Sequence, residues 1–222
     1  MKDRYGREID YLRISITDRC NLRCIYCMPE EGICQTAHKE ILTYDEIRRI
    51  CRCMTALGIK KIKLTGGEPL TRKDSAVLVR MLKELPGIEK VTLTTNGILL
   101  KEQMAELAEA GIDNINISLD TLNTEAFKKI TRREGLARVL EGLKEAMKYP
   151  QIGLKINCVP VLEDPENLIN LAEIARDNPI HVRFIEMMPI GYGKEFRFCG
   201  EDEICSVLEG AYGEMTPITE KY

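Results

Sequence analysis

From about residue 11 to residue 186, short runs in which apolar and polar side chains alternate are interleaved with longer stretches of helical period. The alternating runs cover 11–17, 60–65, 88–94, 113–118, 152–159 and 180–186, and a period of two reads as β-strand. The helical stretches cover 44–57, 72–85, 101–110, 124–148 and 165–177, the fourth either continuous or broken near Gly135. Gly58, Pro86-Gly87, Gly111 and Pro179 supply stop signals where helices should end, and Thr43, Thr71, Asn123 and Asp164 sit where caps belong. Six consecutive βα units predict an α/β fold with a parallel sheet. Periodicity fades over 191–222, and no repeat, low-complexity segment or linker is visible.

The polar positions in the strands carry a second message. Arg13, Ser15 and Thr17 share one face, as do Lys63 and Thr65, then Asn114, Asn116 and Ser118, then Lys155 and Asn157; the apolar neighbours Ile14, Leu64, Ile117 and Ile156 share the other. Parallel sheets usually have both faces covered and read apolar throughout, and a closed eight-stranded barrel fills its interior with branched apolar side chains. Neither matches this alternation. A partial (β/α)6 TIM-type barrel does, with helices outside and a polar concavity inside for a polar ligand.

Composition narrows the class. With 44% hydrophobic content over 222 residues, one domain with a sizeable core is expected. Basic and acidic residues nearly balance, 32 against 35, so the overall charge points to neither a nucleic-acid nor a membrane partner. The N-terminus is charged from the start and no apolar window approaches the roughly 18 residues of a membrane span, so a soluble, cytoplasmic protein is expected. Nine cysteines, an odd number at uneven spacing, suit metal binding or free thiols better than a disulfide framework.

Three of the nine stand out. Cys20, Cys24 and Cys27 form a Cys-x-x-x-Cys-x-x-Cys segment directly after the first strand, at the strand end where β/α barrels carry their active sites. Soft thiolates suit an iron–sulfur cluster, and a [4Fe–4S] cube needs four ligands, so three leave one iron open to a cofactor or substrate. The competing reading is a structural zinc site with His38 as fourth ligand, although the paired Cys-x-x-Cys knuckles usual for zinc are missing. Cys34, Cys51, Cys53, Cys158, Cys199 and Cys205 lack such spacing and read as buried or free thiols. A non-catalytic RNA-binding module would need basic patches interleaved with aromatics, and aromatics are only 5% with no Trp.

The cysteine segment, with Tyr26 just before the third thiol, resembles the radical S-adenosylmethionine (SAM) superfamily. Leu64-Thr65-Gly66-Gly67-Glu68-Pro69 is similar to that superfamily's glycine-rich SAM loop, where adjacent glycines let backbone approach a ligand and the carbonyls and Glu68 can accept from an ammonium. Gly6 to Asn21, Met28 to Gly32, Leu93-Thr94-Thr95-Asn96-Gly97, Asn116 to Leu122 and Arg183 to Pro189 together resemble the GTP 3′,8-cyclase family of molybdenum cofactor biosynthesis. The resemblance implies a lyase with a [4Fe–4S] cluster on Cys20, Cys24 and Cys27. It implies SAM contacts from Tyr26, Gly67, Ser118 and Met188, and GTP contacts from Arg13, Lys63, Thr94 and Lys155. Lys63 stands where Arg is the common family choice, keeping the charge but losing a bidentate fork. An electron donor is implied but not identified, and a homodimer is left open. Arg13, Lys63 and Lys155 also form, on the residue pattern alone, a set of cations on one polar face that a polyanion would neutralise. The family continues into a region with a second cluster. Residues 1–189 are therefore expected to form the radical SAM core, and 190–222 the start of an incomplete C-terminal extension. A different radical SAM activity on another substrate is the alternative, as is a chain that cleaves SAM without cyclising GTP.

Overall fold

A computed structural model describes residues 2–161, 164–197 and 199–217. Six strands, β1 (Tyr11–Ser15), β2 (Lys61–Thr65), β3 (Lys90–Thr95), β4 (Asn114–Ser118), β5 (Gly153–Cys158) and β6 (Ile180–Phe184), pair in sequence order. Every pairing is parallel, and β1 and β6 are the two edges. The sheet is therefore the open half-barrel that the alternation predicts.

Seven α-helices accompany it: α1 (Tyr44–Ala56), α2 (Ser75–Lys83), α3 (Leu100–Glu109), α4 (Thr124–Thr131), α5 (Leu136–Ala146), α6 (Pro165–Asp177) and α7 (Glu201–Tyr212). The core joins one face of the sheet to their apolar stripes. Ile62, Leu64, Val91, Leu93, Ile115, Ile117 and Ile156 lose all contact with solvent against Leu78, Leu82, Leu100, Met104, Leu107 and Val139. Each such side chain contributes about 1.5–3 kcal/mol on burial. The opposite face keeps its polar residues, and the register sets Arg13 beside Lys63, Thr94 beside Asn116, Asn116 beside Lys155, and Asn157 between Ser118 and Arg183.

Three of the expected caps are in place. Thr43 and Glu46 form a reciprocal capping box on α1, Asn123 accepts from Ala126 N, and Asp164 accepts from Asn167 N. Thr71 is not a cap. Pro69–Thr71 forms its own 3-10 turn, the Thr71 hydroxyl donates to Glu68 O at 2.7 Å, and α2 starts three residues later than expected, after Asp74 in the left-handed region. The fourth helical stretch is two helices, parted at Arg132 (φ 54°) and Gly135 (φ 150°). α7 lies where no element was expected, because it buries only Ile204 and so prints a faint apolar stripe. Among the described residues no helix is long and apolar enough to cross a membrane.

Candidate active site

The loop after β1 carries the three cysteines at the C-terminal end of the sheet. Cys24 opens a tight turn in which Cys27 N and Met28 N both donate to its carbonyl, at 2.9 and 3.1 Å. Leu22 N donates to Cys20 Sγ at 3.4 Å. Burial pushes all three thiols up, Cys24 to about 12, and neighbouring sulfurs push Cys20 and Cys24 further by mutual repulsion. Three soft donors within electrostatic reach of one another, in a pocket that disfavours bare thiolate, are a fit for a cationic iron cluster, whose binding would release the protons. Among the described residues no three His, Cys, Asp or Glu side chains are arranged to hold a single ion. His38 lines a separate groove with Arg72 and Lys73, which weighs against it as a fourth ligand to zinc. The donors of a cube stand on separate corners, farther apart than the ligands of one ion.

The glycine pair after β2 is demanded by the cysteine loop. A Cβ on Gly66 would meet Thr17 O at 2.5 Å, and one on Gly67 would strike Arg19 O. Their absence lets Gly67 N and Glu68 N donate to Thr17 O and Arg19 O, each at 2.7 Å, welding the two loops together. Glu68 is not the open acceptor suggested by its position in the motif. Its carboxylate is buried and already accepts from Leu70 N (2.9 Å), the Thr95 hydroxyl (2.7 Å) and Asn96 N (2.6 Å). Burial raises its pKa despite those three donors. Acceptance from an ammonium therefore falls to main-chain carbonyls of this loop. Asn96 in turn donates to Asn21 Oδ1 at 2.7 Å, tying the end of β3 to the cysteine loop.

Cys24, Tyr26, Asn96, Ser118 and Asp120 line one small cleft of about 30 Å³. The Tyr26 hydroxyl donates to Asp120 Oδ2 at 2.7 Å, and Val159 N donates to Asp120 Oδ1 at 2.9 Å. Burial pushes the Asp120 carboxyl up to about 6 and the Tyr26 phenol well above its ordinary value. Asp120 was visible in the sequence only as part of a motif, and its role as the anchor of Tyr26 needs three dimensions. Met188 stands apart from this group, 65% exposed beyond the end of β6.

On the same concave face, Lys63, Lys155 and Arg183 line an open cavity of about 400 Å³, floored by Thr92, Asn114 and Asn116. Burial lowers Lys63 to about 8, helped by Arg13, Arg183 and Lys155, and Lys155 is likewise lowered by burial, Arg183 and Lys90. Among the described residues none of Arg13, Lys63, Lys155 and Arg183 has a carboxylate partner. Arg183, in register with Asn157, is the cation that residue patterning missed, because the polar face was read only on β1, β2, β4 and β5. Two buried polar atoms on this face, Thr94 Oγ1 and Asn157 Oδ1, also lack a protein partner. A buried acceptor or hydroxyl without a partner costs about 1–3 kcal/mol, so the face is built for a ligand that supplies donors and negative charge.

An open parallel half-barrel with three thiols in its first loop defines a class: the chain belongs to the radical SAM superfamily, whose family model matches residues 14–175. That superfamily uses a [4Fe–4S] cluster and SAM, and these are the chain's cofactors. Within it the chain belongs to the GTP 3′,8-cyclase family. It is 45% identical to the GTP 3′,8-cyclase of Alkaliphilus metalliredigens over 99% of this chain and 70% of that protein. It is 46% identical to that of Clostridium perfringens over 94% of this chain and 65% of that protein, so it spans about two thirds of its curated relatives' length. The solved structure of Streptococcus suis SuiB bound to S-adenosylmethionine superposes with a TM-score of 0.64 at 25% identity, covering 79% of this chain and 38% of that one.

Proposed function

We propose that this chain performs the radical-generating and nucleotide-binding part of GTP 3′,8-cyclisation, with Cys20, Cys24 and Cys27 holding the cluster. When bound, the cluster and SAM supply a 5′-deoxyadenosyl radical able to take the ribose 3′ hydrogen of GTP and start ring closure onto guanine C8. The protein's part is placement. The Gly66-Gly67 loop offers main-chain acceptors beside the cysteine loop. Ser118, with Asn157 beside it in register, offers hydroxyl and amide groups that would hold SAM. Tyr26 holds the Cys24–Cys27 turn against Asp120 while its ring shapes the same cleft. We assign Met188 to the SAM side of the site on the family resemblance alone.

The observation that carries the GTP reading is the set of cations on the same concave face, Arg13, Lys63, Lys155 and Arg183, which have no carboxylate partner among the described residues, with the Thr94 hydroxyl in register with Lys155 through Asn116. Like charges gathered on a half-buried face repel, and a triphosphate is the ligand that reverses the sign of that cost. It also sets the distance: with phosphates held there, the ribose is presented upward to the cleft of Ser118, where a misplacement near 1 Å can cost about a hundredfold in rate. We place the protein in the cytoplasm, working with an electron donor still to be identified. The test is competition binding on the anaerobic protein. GTP and GDP should bind more tightly than guanosine, and Lys155→Ala should shrink the gap by about 1.5–3 kcal/mol, the worth of a charge-assisted bond. Equal binding of guanosine and GTP would reject the nucleotide while leaving the radical SAM core standing.

A further inference from the structure

Arg132 is one of two non-glycine residues with positive φ among those described, and its side chain explains why it is there. The end of α4 docks on the cysteine loop through main chain, Arg23 N donating to Thr131 O at 3.0 Å and Ile25 N to Ile130 O at 2.9 Å. Immediately afterwards Arg132, at φ 54° and ψ 20°, turns the chain and sends its guanidinium back over that loop. Arg132 Nη1 donates to Arg23 O at 3.1 Å and to Met28 O at 3.0 Å. Those two carbonyls bracket the turn: Arg23 precedes Cys24 and Met28 follows Cys27. No carboxylate pairs with Arg132 among the described residues, and both of these bonds come from the one nitrogen, Nη1.

A left-handed helix end is ordinarily filled by glycine or asparagine, because a Cβ there crowds the following carbonyl. Holding an arginine at such a position is unfavourable for the backbone, and the compensation on view is the pair of hydrogen bonds from Nη1 to the two carbonyls of the cysteine turn. We propose that Arg132 is a positioning residue for the cluster: by fixing the carbonyls on both sides of the Cys24–Cys27 turn from outside, it sets the separation of two of the three thiols. This rests on the cluster assignment made above. Outer groups that orient metal ligands typically alter metal retention by about 10–100-fold when removed.

Arg132→Gly separates this role from mere support of the fold. Glycine suits φ 54°, so the unloaded Gly variant should melt no lower than the native chain, whereas a residue needed only for folding would lower the melting temperature. After anaerobic reconstitution, iron loss to a ferrous chelator should be at least tenfold faster in Arg132→Gly, and the electron paramagnetic resonance spectrum of its reduced cluster should be altered. Arg132→Lys, keeping a cationic donor, should recover part of both. Native chelation kinetics and spectrum in Arg132→Gly would overturn the proposal, as would a fall in melting temperature that tracks the iron loss without rescue by lysine. A native chain that takes up no iron would instead refute the cluster assignment, and the two failures are told apart by that control.

Discussion

Lys63 makes nucleotide binding a function of pH. Burial, with Arg13, Arg183 and Lys155 nearby, lowers its ammonium from 10.5 to about 8 in the unliganded protein. The amine is then about nine-tenths protonated at pH 7 and about one-tenth at pH 9. A triphosphate wants the charged form, so binding at pH 9 must draw a proton from solution, and apparent affinity should fall about tenfold between pH 7 and pH 9. Phosphate groups, with a second pKa near 6, are mostly ionised from pH 7 upward, and the ligand's own titration is common to the native chain and its Lys63 variant. The sign for stability is opposite. A depressed lysine pKa penalises the folded state fully below pH 8, and the penalty is relieved as pH climbs from about 8 towards 10.5, so the unliganded chain gains stability where it loses ligand. Calorimetric titration with GTP at pH 7, 8 and 9, in two buffers of different ionisation enthalpy, reads both the affinity and the proton taken up. Lys63→Arg, charged at every pH in this range, should flatten the curve to what Lys155 contributes. An affinity that does not fall, or an equal slope in the arginine variant, would refute the reasoning.

Other outcomes are more direct. The reconstituted chain should carry about four irons, one cube on three thiolates; Cys20→Ala, Cys24→Ala or Cys27→Ala should abolish iron and SAM cleavage, while Cys34→Ala and Cys53→Ala, both at exposed positions, should leave them intact. Gly67→Ala should cost about 1–3 kcal/mol in chemical unfolding and weaken SAM binding, because its methyl drives the SAM loop off Arg19 O; Gly210→Ala, with nothing within 4 Å of its added Cβ, is the control and should not destabilise.

What could be read from the sequence was whatever left a periodic or local mark. Strand alternation exposed the polar face because each strand carries its own period, and the register then aligned Arg13 with Lys63 and Asn116 with Lys155. The caps Thr43, Asn123 and Asp164 were legible because their partners lie three residues on. The features that were not legible depend on distant stretches of chain meeting. The glycine pair looked like a ligand approach, yet the atoms that exclude a Cβ belong to Thr17 and Arg19, nearly fifty residues earlier. Glu68 looked available, and only the arrival of Thr95 and Asn96 from β3 occupies it. Arg132 carried no signal at all, since a left-handed arginine cannot be told from a helical one until the break after α4 is seen.

These hidden contacts share a direction. Glu68, Asn96, Asp120 and Arg132 reach from three βα units, the last two from the same one, to the loop that carries the three cysteines or to the glycine loop welded against it. The site is thus over-determined in its backbone and under-compensated in its charge: thiols pushed up by burial above, and unpaired cations below with an ammonium pulled down to about 8. An empty site of that kind is costly to fold, and each cost has the sign that the matching ligand removes, a cationic cluster for the thiols and a polyanion for the lysines and arginines. Binding of either ligand should therefore stabilise the fold as well as load the site, so the melting temperature of the chain should rise with cluster loading and again with added GTP.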